Sequence, residues 1–356
     1  MHAPNQISLA AKASGEPEFR EIGVGPWAET HPGEPRPDDA ASPNYDARFD
    51  TALLDEGDRR NVLDRYRYWS VQAIKDDLDA RGRHDFEVAV ENWTHDFNIG
   101  SMVRTANAFQ ARRVHIVGPH KWNRKGALMT ELYQHVEHHP SIAELVECWR
   151  NRIAGEIAYE RARAAAAAVH VHESAAPAAR PSAASLISEN DRLMADIDSG
   201  DFGVPGRVLA SGTTASAASL PSVPVSSGAR GSIPSASVSP VDAPAASHAS
   251  VSIPDARQSA LAELTAADAR IKELEAARVI ALDIIPGAVP METYVFPKRC
   301  LLLFGAEGPG LSRKALDLAD DVVYISQFGS VRSINAGAAA AVAMHAWIAQ
   351  HAVIGR

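Results

Sequence analysis

Cysteine is scarce in this sequence, and an excess of positive charge is absent. The 356 residues include two cysteines, Cys148 and Cys300, too few for a disulfide framework or a cysteine-rich zinc cluster. We therefore expect two free thiols, no metal centre and a reducing, cytoplasmic compartment. The formal net charge is −9, so a nucleic-acid site would have to be a local basic patch rather than a field over the whole surface.

Long hydrophobic runs are also missing. The longest apolar stretch, residues 336–349, is rich in alanine, interrupted by His345 and too short to cross a bilayer. The N-terminus lacks the basic segment and following apolar segment of a secretory signal. A hydrophobic content of 46% nevertheless supports a buried core. We expect a soluble protein with no membrane partner.

Composition divides the chain into four zones. Residues 1–45 are rich in Pro, Gly, Glu and Asp, which predicts a disordered tail. Residues 46–85 carry apolar residues at spacings of three and four, which predicts a helical N-terminal extension. Residues 154–256 predict a long disordered insertion of Ala, Ser and Pro, because they cannot bury enough apolar area to offset the entropy of ordering. Residues 86–153 plus 257–356 remain as the folded domain.

Strand and helix patterns alternate in the two parts of this folded domain. Short apolar runs that predict strands are FEVAVENW, RRVHIVG, VIALDII, RCLLLFG and DVVYIS. Stretches with helical spacing lie between them. The alternation predicts an α/β fold with a mostly parallel sheet. Because the pattern resumes after the insertion, we expect both parts to contribute to one sheet.

Three segments with polar or glycine residues stand where predicted strands and helices meet. NIGSMVRTANAF begins with Asn98, which can cap the next helix. Its Arg104 either lies at the edge of that helix with its stem over apolar neighbours or contacts a phosphate or ribose. FGAEGPGLS fits neither GxGxxG nor a Walker A loop, and a tight turn is its alternative reading. YISQFGSVRSINAG leads into the last helix, with Ser333 as a candidate cap. Ligands bind at the carboxyl ends of parallel strands, so the last two loops predict one cleft.

In this order, the three segments resemble motifs 1, 2 and 3 of the TrmH (SpoU) branch of the SPOUT methyltransferases. The matches are N-x-G-x-x-x-R-T-A at Asn98–Ala106, F-G-x-E-G-x-G-L-S at Phe304–Ser312 and S-[LI]-N at Ser333–Asn335. The resemblance covers residues 86–153 and 277–356. This chain departs from the family's usual I-P-M before motif 3, where it has Ile-Ser-Gln at 325–327, and in its long insertion.

The resemblance implies a C-terminal trefoil knot and a homodimer whose active site lies at the subunit interface. It implies methyl transfer from S-adenosylmethionine to a ribose 2′-hydroxyl of RNA, either tRNA or rRNA. The catalytic positions that it implies are Asn98, Arg104, Glu307, Ser333 and Asn335. The cofactor-binding positions that it implies are Gly305, Ile325 and Ile334. Because arginine stays protonated, we prefer stabilisation of a developing alkoxide as the role of Arg104, and activation of the hydroxyl, the role that the resemblance implies, is the alternative.

A cluster of cations follows the first motif and surrounds Trp122. Its members are Arg112, Arg113, Lys121, Arg124 and Lys125. Cations interleaved with an aromatic ring suit phosphate contact and base stacking, whereas a solvated loop is the alternative. A second candidate RNA contact lies in the helical extension, at Arg59, Arg60, Arg65 and Arg67. We expect RNA, and not DNA, as the partner.

Two other functions compete with RNA methylation. A catalytically silent RNA-binding protein of the same fold is one, and the presence of every polar motif position argues against it. An unrelated nucleotide-binding α/β enzyme is the other, and the lack of GxGxxG and Walker A patterns argues against that.

Overall fold

A computed structural model describes residues 5–16, 22–93, 98–175 and 253–353. The chain divides into two compact units, Met1–Ala168 with Ala262–Arg356, and Val169–Leu261. All strands of the described residues belong to the first unit. None of the helices within these ranges has the length and apolar character needed to cross a membrane.

The first unit is built on a seven-stranded sheet. The strands are β1 (Phe86–Glu91), β2 (Val114–Val117), β3 (Val136–His139), β4 (Arg278–Leu282), β5 (Val289–Pro290), β6 (Cys300–Phe304) and β7 (Asp321–Tyr324). Their order across the sheet is β3-β2-β1-β6-β4-β7-β5, and every neighbouring pair is parallel. The predicted α/β class with a mostly parallel sheet is confirmed, and strands from both sides of the insertion share the sheet. The C-terminal knot stays a prediction.

Nine α-helices accompany the sheet in the described residues. They are α1 (Gln6–Ala13), α2 (Trp27–Thr30), α3 (Thr51–Glu56), α4 (Val71–Ala80), α5 (Ile99–Ala108), α6 (Ile142–Ala175), α7 (Ile253–Glu275), α8 (Arg313–Leu318) and α9 (Ala336–His351). Helices α3 and α4 lie in the zone for which the spacing predicted a helical extension.

Hydrophobic cores cover both faces of the sheet. Successive side chains of a strand point to opposite faces, so Leu302 and its neighbour Leu303 belong to different cores. On one face, Leu302 lies in the core that includes Met102 of α5 and Met344 of α9. On the other face, Leu303 lies in the core that includes Trp149 of α6. Burial on both faces explains why the central strands read as continuous apolar runs.

Residues 22–45 differ from the predicted disordered tail. Val24 pairs with Asp58 in an isolated bridge, and the Gly25 carbonyl accepts a 2.6 Å hydrogen bond from the Tyr68 hydroxyl. The Trp27 ring stacks on His31 with centroids 3.7 Å apart. The average composition of residues 1–45 does not reveal these aromatic rings. The rings give a Pro- and Gly-rich stretch a surface that packs against the helical extension.

The predicted insertion begins later in the structure than its composition indicated. Helix α6 continues to Ala175, well beyond the expected boundary at residue 153. Alanine has the highest intrinsic helix propensity, so the alanine run at 164–168 extends the helix instead of ending it. Helix α7 begins at Ile253, before the expected boundary at residue 257. The rest of the predicted insertion, residues 176–252, lies outside the described residues.

Candidate functional site

The carboxyl ends of β4, β6 and β7 border a cavity of about 410 Å³. Its lining includes Asp283 after β4 and the loop 305–310 after β6. After β7 the lining includes Ile325, Gln327 and residues 332–334. The candidate cofactor residues Gly305, Ile325 and Ile334 all line this one cavity. Glu307 and Ser333 line it as well. The two glycine-bearing loops therefore do form one cleft, as their strand-end positions predicted.

The loop after β6 folds tightly on itself. A Cβ atom at Gly305 would lie 2.0 Å from the carbonyl carbon of Gly310, which no real Cβ tolerates. Gly310 has φ +74° and its N–H donates a 3.0 Å hydrogen bond to the Ala306 carbonyl. Gly308 has φ +92°. Residues other than glycine rarely adopt these backbone conformations. The glycines therefore let the backbone itself form a wall of the cavity.

Three polar side chains from three distant segments meet in a hydrogen-bonded network. Glu307 Oε2 accepts from Asn98 Nδ2 at 2.8 Å, from Asn335 Nδ2 at 3.2 Å and from the Ala336 backbone N–H at 3.1 Å. Asn335 Nδ2 also donates to Asn98 Oδ1 at 3.0 Å. The Glu307 carboxylate thus lies at the positive end of α9, where a negative charge is stabilised. Each of the three motifs contributes one member of this network.

Helix capping differs from the sequence-based interpretation at two positions. The Asn98 side chain does not cap α5, because it contacts Glu307 and Asn335 instead. Ser333 does not cap α9. Asn335 does so, accepting from the N–H groups of Gly337 and Ala338 at 3.0 and 3.2 Å. Asn335 therefore uses its oxygen for the helix and its nitrogen for the network.

Arg104 stands apart from the network. It lies on α5, exposed to solvent, and forms no hydrogen bond or ion pair with any of the described residues. The structure therefore brings together Asn98, Glu307 and Asn335, places Ser333 at the cavity, and leaves the Arg104 guanidinium unengaged.

Sequence reasoning missed several residues of the cavity and its supports. Asp283, Gln327 and Arg332 line the cavity. Buried Glu91 accepts from the Ser312 backbone N–H at 2.6 Å, which fixes the end of the glycine loop. A signal for Asp283 existed, because it is the first polar residue after the buried strand β4, at the edge where ligands bind.

Ser326, which stands where the family usually has proline, is held by Glu292. The Ser326 N–H and hydroxyl donate to the two carboxylate oxygens at 3.1 and 2.8 Å. A hydrogen bond from its own backbone N–H and then the bonds from Ser326 lower the pKa of Glu292. Proline has no N–H, so this chain fixes the same loop by hydrogen bonds instead of by a ring.

The candidate RNA-binding cations separate into two groups. Arg112 pairs with Asp85 at 3.0 Å and with Glu156 at 3.1 Å, and Arg113 pairs with Glu137 at 2.9 Å. Burial, followed by the nearby charge of Arg299, lowers the pKa of Arg112. By contrast, the side chains that stay exposed are those of Lys121, Arg124 and Lys125.

The exposed cations lie on a loop that packs against α5. The Arg124 guanidinium lies 5.8 Å from the ring centroid of Trp122, which itself packs on the core. A Cβ at Gly100 would lie 2.9 Å from Asn123 O, Gly126 Cα and Ala127 N. The loop backbone therefore contacts the first turn of the helix that carries Asn98 and Arg104.

The arginines of the helical extension are mostly used within the protein. Arg60 pairs with buried Asp58 at 2.7 Å, and Arg67 donates to the Arg60 carbonyl at 2.8 Å. The Arg65 guanidinium lies 4.7 Å from the Tyr66 ring centroid. This second candidate surface is therefore poorer in available cations than its sequence suggested.

Known proteins resemble parts of this chain in sequence. Residues 235–345 match the family model described as SpoU rRNA Methylase family. A tRNA (guanosine(18)-2′-O)-methyltransferase of Saccharomyces cerevisiae is 35% identical over 81 residues, which are 22% of this chain and 6% of that protein.

Solved structures show more distant likenesses. The SpoU methyltransferase AviRb from Streptomyces viridochromogenes, in complex with AdoMet, aligns with a TM-score of 0.36 and 16% identity, covering 75% of this chain and 58% of AviRb. The A. aeolicus TrmH/SpoU tRNA modifying enzyme aligns with a TM-score of 0.36 and 10% identity, covering 79% of this chain and 81% of that enzyme's chain. The sequence match contains the loop after β6 and the whole segment from β7 to Ser333 and Asn335. This part of the chain is therefore similar to the SpoU rRNA Methylase family.

Proposed function

We propose that this protein transfers a methyl group from S-adenosylmethionine to a ribose 2′-hydroxyl of RNA, either tRNA or rRNA. The observation that carries the proposal is the network of Asn98, Glu307 and Asn335, which joins the three motif segments beside one cavity. The family match over residues 235–345 supports the same reaction.

The cavity fits S-adenosylmethionine in size and in chemistry. Its volume of about 410 Å³ falls in the range of small-molecule sites. Apolar walls from Phe304, Ile325 and Ile334 suit an adenine ring, and the carboxylates of Asp283 and Glu307 suit a cationic ligand. Gln327 Oε1 is buried without a hydrogen-bond partner among the described residues, so a donor on the ligand would satisfy it.

The residues around the cavity would position a hydroxyl rather than act as strong bases. When bound, S-adenosylmethionine supplies an electrophilic methyl group on a cationic sulfur. Glu307 is engaged by three N–H donors, so it orders the loop and α9. Arg104 carries an unengaged guanidinium that would stabilise the alkoxide character of the ribose oxygen. Holding that oxygen at roughly 3–3.5 Å from its target would supply most of the remaining acceleration.

The RNA would enter across the loop that carries Lys121, Arg124 and Lys125. These exposed cations lie on the loop packed against the first turn of α5, on the same helix as Arg104. Phosphates bound there would keep the RNA backbone close to the cavity. Arg112 and Arg113, which were also candidates, are less available because carboxylates already hold them.

The protein would act as a homodimer. Helix α9 is apolar over most of its length and leaves Val342 exposed, and Phe328 in the motif 3 loop is 97% exposed. A second subunit covering these residues would also complete a site in which Arg104 stands apart from the network. Light scattering at micromolar concentration tests the dimer. The cytoplasmic location stays a prediction from composition.

Methyl transfer from labelled S-adenosylmethionine to total tRNA and to rRNA, measured separately, tests the function. We expect label in one pool and its loss in Arg104→Ala, with cofactor-dependent melting retained. The exposed Arg163→Ala on α6 serves as a control and should keep full activity. Absence of label in both pools, with a normal melting shift, would favour the silent RNA-binding protein instead.

A further inference from the structure

A second cluster of chemically active side chains lies where β2 and β3 face α6, and none of its members lines the cavity. His115, Glu137 and His139 bring three possible ligand atoms within 4.8 Å of one another. His115 Nδ1 is 2.9 Å from His139 Nε2. Glu137 Oε2 lies 3.5 Å from the first nitrogen and 3.7 Å from the second. The cluster has no part in the proposed methyl transfer.

The outer nitrogens of both rings already have partners. His115 Nε2 lies 2.6 Å from Glu87 Oε2, and His139 Nδ1 lies 2.6 Å from Glu144 Oε2. Glu87 also pairs with the buried Arg299 guanidinium at 2.7 Å. An ionised carboxylate only accepts, so beside such a group each outer nitrogen would carry the proton of its ring.

This arrangement leaves two lone pairs pointing at each other. A neutral imidazole has one N–H, so the inner nitrogens of His115 and His139 are both acceptors, at a separation of 2.9 Å. A cation between them, either a proton or a metal ion, would make this contact favourable. Both rings are buried, that of His115 completely.

We propose that His115 Nδ1, His139 Nε2 and Glu137 Oε2 bind a divalent transition metal, with Zn²⁺ as the ion that best suits two imidazoles and a carboxylate. Tetrahedral zinc separates such ligand atoms by about 3.4 Å. The two distances to Glu137 lie within about 0.3 Å of this value, and the two nitrogens need to move apart by about 0.5 Å. The carboxylates of Glu87 and Glu144 stand where metal-binding histidines regularly have an acceptor for their outer N–H.

The charges around the cluster allow a cation without attracting it strongly. Glu137 accepts from Arg113 at 2.9 Å and from Arg152 at 2.5 Å, and Arg299 pairs with Glu87 at 2.7 Å. Each carboxylate oxygen has two lone pairs, so Glu137 Oε2 can ligate a metal while it accepts from Arg152. Bonds to the metal, rather than the surrounding field, would supply the affinity.

The metal would fasten the edge of the sheet. Strand β3 pairs with β2 on one side only, and its four residues include a single apolar one. A metal held by β2 and β3, with Glu144 of α6 as the outer contact, would link these three elements. We therefore expect a structural role, independent of methyl transfer.

Metal analysis and titration of the full chain, purified without a polyhistidine tag, test the site. The probes are Zn²⁺ for stoichiometry and melting temperature, and Co²⁺ for the absorption bands that report its ligand field. We expect one equivalent per chain and a melting temperature that rises with Zn²⁺ concentration. A chain that binds neither ion at one equivalent would overturn the proposal.

Neighbouring histidines on β3 provide matched variants. His138 is the adjacent residue, exposed and on the opposite face of the strand, so His138→Gln should bind like the wild type. His139→Gln should no longer bind one equivalent of metal, and metal binding equal to that of the wild type would contradict the assignment. Glu144→Gln, at an exposed outer position, should weaken affinity by about 10- to 100-fold. If His139→Gln fails to fold, unchanged affinity in Glu144→Gln overturns the proposal by itself.

Discussion

Gly305 is the residue on which the shape of the cavity most depends. It follows the last buried residue of β6 and has no room for a Cβ against Gly310 and Leu311. A motif comparison marks such a glycine as important but gives no reason for it. The contact distance gives the reason, since the loop turns back on itself within six residues and seals one wall of the site.

Gly305→Ala should abolish cofactor binding and lower the free energy of unfolding by more than about 2 kcal/mol, because the loop backbone must move to admit a methyl group. Gly329→Ala is the matched control in the motif 3 loop, where a Cβ meets no atom within 4 Å. Calorimetric titration with S-adenosylmethionine and urea unfolding measure both effects. Equal behaviour of the two variants would show that the close contact does not shape the site.

The motifs predicted which residues take part in the network, but not which atoms are hydrogen-bonded to each other. The motifs placed Asn98, Glu307 and Asn335 near one cleft. From sequence alone, Asn98 and Ser333 were candidate helix caps, because Asn and Ser are generally favoured at that position. In the structure a charged acceptor, Glu307, takes the Asn98 amide, and Asn335 caps α9. Contacts across more than 200 residues of chain cannot be read from local preference.

At the scale of elements, the join between α5 and the basic loop is the most specific contact near the site. Gly100 lies on the first turn of α5, against the backbone of residues 123–127. A helix interior normally favours alanine over glycine by roughly 1 kcal/mol. Here the close approach of the loop reverses that preference.

Gly100→Ala should displace the basic loop, weaken RNA binding and destabilise the protein, despite the gain in helix propensity. Gly155→Ala, in α6 with no atom within 4 Å of its Cβ, should instead stabilise it by about 0.5–1 kcal/mol. Filter binding of RNA at two salt concentrations, together with thermal unfolding, distinguishes the variants. Stabilisation by both substitutions would contradict the packing described for α5.

Strong periodicity made most elements predictable, and its absence hid the rest. The five predicted strands are all present as β1, β2, β4, β6 and β7. The two-residue strand β5 was missed, and so was β3, because Val-Glu-His-His has no apolar alternation. The same four residues supply two of the proposed metal ligands. Polar side chains that meet inside the fold weaken the very pattern by which a strand is recognised.

A buried ion pair links the segments near the N-terminal end of the described residues. Asp58 is fully buried, pairs with Arg60 at 2.7 Å and accepts from the Tyr68 N–H at 2.9 Å. Burial raises the pKa of Asp58, but the bonds from Arg60 and the two backbone N–H groups outweigh it and lower the pKa overall. These contacts join residues 58–68, to which residues 22–27 are attached.

Asp58→Asn should cost about 3 kcal/mol at pH 7, because it leaves the Arg60 guanidinium buried without a counter-charge. A carboxylate whose pKa is lowered by folding stabilises the protein above its unfolded pKa of about 3.9, and loses that effect as the pH falls through the lower folded value. The difference between wild type and variant, followed by urea unfolding, should therefore shrink under acid conditions. The 99% exposed Asp64→Asn should change little at either pH.

The proposed reaction is methylation of a ribose oxygen of RNA beside the cavity that the three motif segments border, with Arg104 exposed on α5. The most direct test is to incubate the protein with deuterium-labelled S-adenosylmethionine and RNA, digest the RNA to nucleosides and locate the label by mass spectrometry. We expect a labelled methyl group on the ribose of one nucleoside type, absent with Arg104→Ala. Label on a base, or equal ribose labelling by Arg104→Ala, would contradict it.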